Sequence, residues 1–143
     1  MQKLVDQIDT KIAVANSVGA IGALVATKVD ATGYGRARFV FNFGNGAATT
    51  ASVSSSIGIW AATTSGATYT QISGTSAAAV SSGLISATNI IIAIDVAVPP
   101  LSPWLQVSGG GIGSTAINNS ATVDLYRQVY RPDVAGYQQV ISV

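Results

Sequence analysis

The chain contains no cysteine, no histidine and no glutamate. Its acids are six aspartates, and only 9% of its 143 residues are charged, against about 25% in an average soluble domain. The missing cysteine removes any disulfide framework, thiolate nucleophile or cysteine-based metal centre. The missing histidine removes the imidazole base and the commonest transition-metal ligand. Two-carboxylate chemistry would have to use two of six aspartates. Net charge is +1, so no large basic field exists for nucleic acid. No two aspartates lie close enough in sequence for a calcium loop. Composition therefore argues against an enzyme and against a nucleic-acid binder.

No apolar run is long enough to span a bilayer, which takes about 20 residues. The strongest, Ile90 to Ile94, stops at Asp95 and is soon closed by Pro99 and Pro100. The uncharged stretch from Ile12 to Ala26 is interrupted by Asn16, Ser17, Gly19 and Gly22, with Asp6 and Asp9 ahead of it. Neither a signal peptide nor a membrane span is expected.

What is present is small. Ala, Ser, Gly and Thr make up 66 of the 143 residues. Apolar residues alternate instead of recurring every three or four, which reads as strands. Ala20 to Val29 reads as a first strand, and Asp30 to Gly33 as a turn. Tyr34 to Phe43 alternates strictly: Ala37, Phe39, Phe41 and Phe43 on one face, Tyr34, Arg36, Arg38, Val40 and Asn42 on the other. The phenylalanine face is core. Ala51 to Ala62 is the next strand, with Ile57 and Ile59 opposite Trp60. Ala67 to Ile72 is a short strand centred on Tyr69, and Gly74 to Gly83 is a loop.

Asn89 to Val98 sets Ile90, Ile92, Ile94, Val96 and Val98 on one face, a second piece of core. Proline then breaks the ladder. Trp104 to Ser108 and Ser120 to Tyr130 are further strands around a glycine-rich loop. Seven or eight such strands predict an all-β fold, a single β-sandwich, jelly-roll-like. The expected organisation is an N-terminal arm or short helix (1–17), a sandwich domain (18–131) and a C-terminal tail or edge strand (132–143). The helix alternative rests on the spacing of Leu4, Val5, Ile8 and Ile12.

Two motifs are discounted. Gly111 to Ala116 spells G-x-G-x-x-A, but no helix pattern follows it, so it reads as a hairpin loop. Asn118-Asn119-Ser120 spells a glycosylation sequon and reads as a turn. Five residues are singled out for contacts. Arg36 and Arg38 share a strand face that suits a phosphate or a partner's acid, or simply water. Trp60 and Trp104 are of the type enriched at interfaces, with core or half-core packing the alternative. Asp95, inside an apolar strand, either points away from the core or pairs with an arginine at a subunit contact.

The order of the pieces carries a resemblance. Val29-Asp30-Ala31-Thr32-Gly33-Tyr34-Gly35-Arg36-Ala37-Arg38-Phe39-Val40 resembles an aromatic strand entered through D-x-x-G-Y. It is followed by a strand ending in Ile59-Trp60, the segment Tyr69-Thr70-Gln71-Ile72, and Trp104-Leu105-Gln106-Val107. Over roughly residues 24–131 this is similar to small virion structural proteins of tailed bacteriophages and prophages, read as capsid decoration or head-associated proteins. The resemblance implies a non-enzymatic subunit without cofactor or metal. It would bind the major capsid protein and copies of itself, with a homotrimer expected. It would be made in the host cytoplasm and sit on the capsid exterior, contacting neither nucleic acid nor membrane. The alternative is a tail, head-fibre or adhesin module of the same particle. The capsid-binding element is expected either in residues 1–17 or on the Arg36/Arg38 face.

Overall fold

A computed structural model describes residues 8–19, 27–44, 57–75, 90–109, 117–127 and 139–142. Within them are nine strands: β1 (Ile8–Gly19), β2 (Val29–Asp30), β3 (Arg36–Gly44), β4 (Ile57–Ala62), β5 (Thr70–Gln71), β6 (Ile90–Ala97), β7 (Trp104–Gly109), β8 (Ile117–Tyr126) and β9 (Gln139–Ser142). They form a five-stranded sheet, β1-β8-β3-β6-β9, and a four-stranded sheet, β2-β7-β4-β5. The fold is all-β, and the two sheets share one apolar core.

The pairing has a simple logic. Among the first eight strands the first pairs with the last (β1 with β8) and the second with the next to last (β2 with β7). β3 pairs with β6 and β4 with β5, all antiparallel. Such a ribbon, doubled back once and rolled up, is a jelly roll; rolling adds the β3–β8 and β4–β7 pairs. β9 lies outside this scheme. It pairs in parallel with β6, Ile92 facing Gln139 and Asp95 facing Ser142, so the C-terminal segment supplies an edge strand.

The core is built from the expected alternating rows. Ala37, Phe39, Phe41 and Phe43 are all buried, and in register with Val96, Ile94, Ile92 and Ile90 of β6. Phe41 and Phe43 stack with ring centroids 6.3 Å apart, within the distance at which aromatic pairs attract. Ala121, Val123 and Leu125 of β8 continue the row, and Ile57, Ile59, Leu105 and Val107 face it from the smaller sheet.

Several expectations are corrected. Of the two alternatives for the N-terminal segment, residues 8–19 exclude the helix, because they are strand β1. Ile8, Thr10 and Ile12 alternate outward, but Ala13 and Val14 are both buried, because the register with β8 slips between Ile12 and Val14. The helix-like spacing lies ahead of that bulge: Ile8 and Ile12, four apart, share a face on a strand as they would on a helix. Of the short strand at Ala67 to Ile72, only Thr70–Gln71 is paired. Asn118 to Ser120 is not a turn but part of β8, in register with β1 and β3. Residues 20–26, 51–56, 76–89 and 110–116, where further strand and loop expectations fell, are outside the described residues, as are residues 1–7 and 128–138.

The entry to β3 shows why Gly33 is needed. Asp30 Oδ1 accepts from the Thr32 N–H (2.9 Å) and hydroxyl (2.6 Å), and Tyr34 N–H returns to Ala31 O (3.1 Å). Closing this turn puts Gly33 at φ 84°, a region that side-chain-bearing residues avoid. Those bonds also hold the Asp30 carboxyl below the usual range, the Thr32 hydroxyl first and its N–H second. Nearby, Lys11 Nζ donates to Asp30 O (2.8 Å) and the Tyr34 hydroxyl to Asp9 Oδ2 (3.4 Å), stitching β1 of one sheet to β2 of the other.

Candidate interaction surface

The five candidate contact residues fall into two groups on opposite sides of the sandwich. Arg36, Arg38 and Asp95 come together on the outer face of the five-stranded sheet. Trp60 and Trp104 share the outer face of the four-stranded sheet.

Alternation places the first group. Ala37 and Phe39 point inward, so Arg36 and Arg38 point outward. Asp95, between Ile94 and Val96, does the same on β6, directly opposite Arg38. Arg36 Nε donates to Asp95 Oδ1 at 2.7 Å, and a terminal nitrogen of the same guanidinium lies 2.7 Å from that oxygen. A terminal nitrogen of Arg38 is 3.8 Å from Asp95 Oδ2. The Tyr126 hydroxyl, from β8, donates a hydrogen bond to the same Oδ2. The aspartate is thus enclosed by two arginines and a tyrosine, at 1% exposure. The solvated alternative for this face fails at Arg38, which is only 3% exposed.

A carboxylate removed from water must be paired and hydrogen-bonded, and hydrogen bonds from Arg36 and Tyr126 with the ion pair to Arg38 meet that need. Desolvation pulls against the Arg36 charge, but hydrogen bonds with Asp95 and Tyr126 outweigh it and carry its pKa above the ordinary arginine value. Burial, and then hydrogen bonding to Asp95, pushes the Tyr126 phenol up to about 12. Toward the edge of this sheet, the Thr10 hydroxyl donates to Asp124 Oδ1 at 2.7 Å. Edge strand β1 then presents Ile8 and Ile12, 64% and 62% exposed, on the same outer face.

The second group is different. Trp60 on β4 faces Gln106 of β7 and Gln71 of β5. Trp104 faces Ala62 and Asp30, one diagonal step from Trp60. Both tryptophans are half-buried, as the half-core alternative has them. A Cβ on Gly58 would stand 2.7 Å from the Gln71 side-chain nitrogen and 3.5 Å from the Trp60 indole nitrogen. The glutamine amide therefore lies over the strand at Gly58, beside the indole. At the rim, Lys28 Nζ donates to Ser65 O (2.6 Å) and sits 5.5 Å from the centre of the Tyr69 ring. Burial raises the Tyr69 phenol.

Two residues that organise these faces were not among the sequence candidates. Tyr126 lies on β8, and its partner Asp95 sits two strands away on β6. Thr75, 0% exposed, donates its hydroxyl to Ile72 O (2.7 Å) and accepts the Ile59 N–H (3.1 Å). It thereby closes the β4–β5 edge with a side chain where a backbone partner runs out. A lone threonine in a small, polar stretch gives no signal of this. Among the described residues, no group of three or more aspartates is placed to hold a metal. Comparison with protein-family models, curated proteins and solved structures found no match to this chain.

Proposed function

We propose that this chain is a non-enzymatic structural subunit of a tailed-phage particle, a decoration or cement-like protein that binds the major capsid lattice and its own copies, as a trimer, on the head exterior. The observation that carries this reading is the jelly-roll strand order, an architecture used by viral capsid domains and by lectins. The chemistry agrees with it. The buried carboxylate, its arginines and its tyrosine are committed to one another, so they organise the sheet and are not poised for reaction. A chain with few charges pays little desolvation when packed against copies of itself. Apolar points are available for that packing: Ile8 and Ile12 on β1, and Leu101, 86% exposed at the tip of the Pro99–Ser102 turn. Many weak contacts repeated over a shell add up through multivalency, and binding only the folded subunit stabilises it by mass action.

The β1 location refines where the capsid contact is sought. Arg38 is committed inside its own sheet, which leaves residues 1–17, with Ile8 and Ile12, as the favoured element. A second reading, an adhesin or fibre module, is favoured by the Trp60/Trp104 face alone.

The test is co-sedimentation of purified protein with empty heads of the parent particle, together with light scattering on the free protein. The proposal expects saturable binding to heads and a trimer mass at micromolar protein. A monomer with no affinity for heads overturns it. Binding to tails or to host cells in place of heads transfers the assignment to the second reading.

A further inference from the structure

A cleft of about 380 Å³ opens at the β5 edge of the four-stranded sheet, between the β4–β5 hairpin and the β6–β7 turn. Its polar wall is Thr63, Thr68, Thr70, Gln71 and Ser102. Its apolar patches come from Ile72, Pro99 and the small Ala61 and Ala62. Among the described residues, no ionised side chain lines it. The size falls within the range typical of small-molecule sites, roughly 300–1,000 Å³.

We infer that this cleft is a binding site for a neutral saccharide. The Gln71 amide lies over Gly58, but four hydroxyl-bearing residues line the cleft, and a hydroxyl both donates and accepts. A sugar ring presents that same chemistry, hydroxyls at its rim and C–H groups on its faces, the latter suited to Ile72 and Pro99. An anionic ligand would find no cation in the lining. The nearby Lys28 ammonium is already bonded to Ser65 O.

The site is also held in shape before any ligand arrives, which lowers the cost of binding. Ser102 N–H closes its turn on Pro99 O at 3.0 Å, and two adjacent prolines stiffen that turn. Ile72 is fixed from both sides: its N–H donates to Ile59 O (2.9 Å) and its carbonyl accepts the Thr75 hydroxyl. The connection carrying Thr63 and Thr68 is drawn in by Ala67 N–H to Thr64 O (3.2 Å) and by Lys28. The inference is independent of the capsid role, since a subunit on a shell can carry a sugar site and a free module can lack one.

The experiment is a ¹H–¹⁵N titration of the whole chain with glucose, galactose and N-acetylglucosamine at millimolar concentration, with glucuronate as the anionic control. The expected result is a saturable shift of the Thr68, Thr70, Gln71 and Ser102 amides with at least one neutral sugar and none with glucuronate. Thr70→Val keeps a β-branched side chain on an exposed strand position, so its spectrum is expected to remain folded. It should weaken the interaction about tenfold, the loss of one hydrogen bond. Three outcomes overturn the inference: no shift with any neutral sugar, shifts centred on Trp60 and Trp104 in place of the cleft, or equal affinity in Thr70→Val. None of these touches head binding, so this inference and the proposed function fail separately.

Discussion

The outer faces of the two sheets solve the same problem in opposite ways. Each lies on the solvent side of a shared core, and each is partly covered. On the five-stranded sheet the covering is ionic: Asp95 beneath Arg36, Arg38 and Tyr126. On the four-stranded sheet it is neutral: half-buried Trp60 and Trp104, a glutamine amide over Gly58, and threonine hydroxyls at the edge. In a chain with so little charge, the ionic solution concentrates its risk in one carboxylate. The neutral one spreads it over many weak contacts. The two faces should therefore respond very differently to single changes.

The largest effect is expected at Asp95. Asp95→Ala leaves two arginines beside each other, Arg38 nearly out of water, and should cost about 3–5 kcal/mol in denaturant unfolding. Replacing Arg36, Arg38 and Asp95 together by leucine or methionine should recover most of that loss, because it is the uncompensated charge that destabilises. A triple variant as unstable as Asp95→Ala would show that packing, not charge, holds this face. On the other sheet, Thr75→Val removes a hydroxyl of nearly the same shape and strands the Ile59 N–H. It should cost about 1–3 kcal/mol, less than Asp95→Ala. If Thr75→Val proved the more damaging, the contrast between the faces would collapse.

Alkaline pH separates the faces in another way. The unfolded tyrosine ionises near pH 10, but Tyr126 in the fold holds its proton to about 12. Between those values the folded state binds the extra proton, so stability intact below about pH 10 falls as pH rises toward 12. The share due to Tyr126 is on the order of 2 kcal/mol. Tyr126→Phe should be less stable at neutral pH, for want of the bond to Asp95, yet show a shallower alkaline loss. Tyr69→Phe, across the molecule, shares the direction of shift but not the carboxylate partner. Its neutral-pH stability should change less. Urea midpoints for the two variants and the parent at a series of pH values measure both differences.

Which parts of this could be read from the sequence follows from what each part depends on. The core rows were legible because β3 and β6 alternate without interruption, so Phe39, Phe41, Ile92 and Ile94 declare their face locally. Asp95 was legible as an anomaly, since one charge inside an isoleucine run has to be explained. Its partners were half legible: Arg36 and Arg38 shared a face, but nothing local says that β3 lies beside β6, nor that β8 brings Tyr126 from the other side. β1 was left open between an arm and a short helix for a physical reason, because residues four apart, as Ile8 and Ile12 are, share a face in either conformation. The two-residue β5 was located but read too long, and its Thr75 clamp was illegible. Their stability comes from contacts with β4, not from any pattern of their own.

The smallest expected effect on stability belongs to edge strand β1, and there the reading in terms of a self-associating subunit is most exposed to failure. Ile8 and Ile12 stand outward on the ionic face, beyond the Thr10–Asp124 bond, and bury little in the single chain. Changing both to serine should therefore alter folding stability by no more than about 0.5 kcal/mol per site. If they pack against another copy, the same change removes apolar area from the contact, at roughly 25 cal/mol per Å² buried. The mass by light scattering should then fall toward 14.4 kDa while the unfolding midpoint measured at low protein stays put. A double variant that remains a trimer would move the self-contact away from β1, with Leu101 on the β6–β7 turn the next exposed apolar residue to replace.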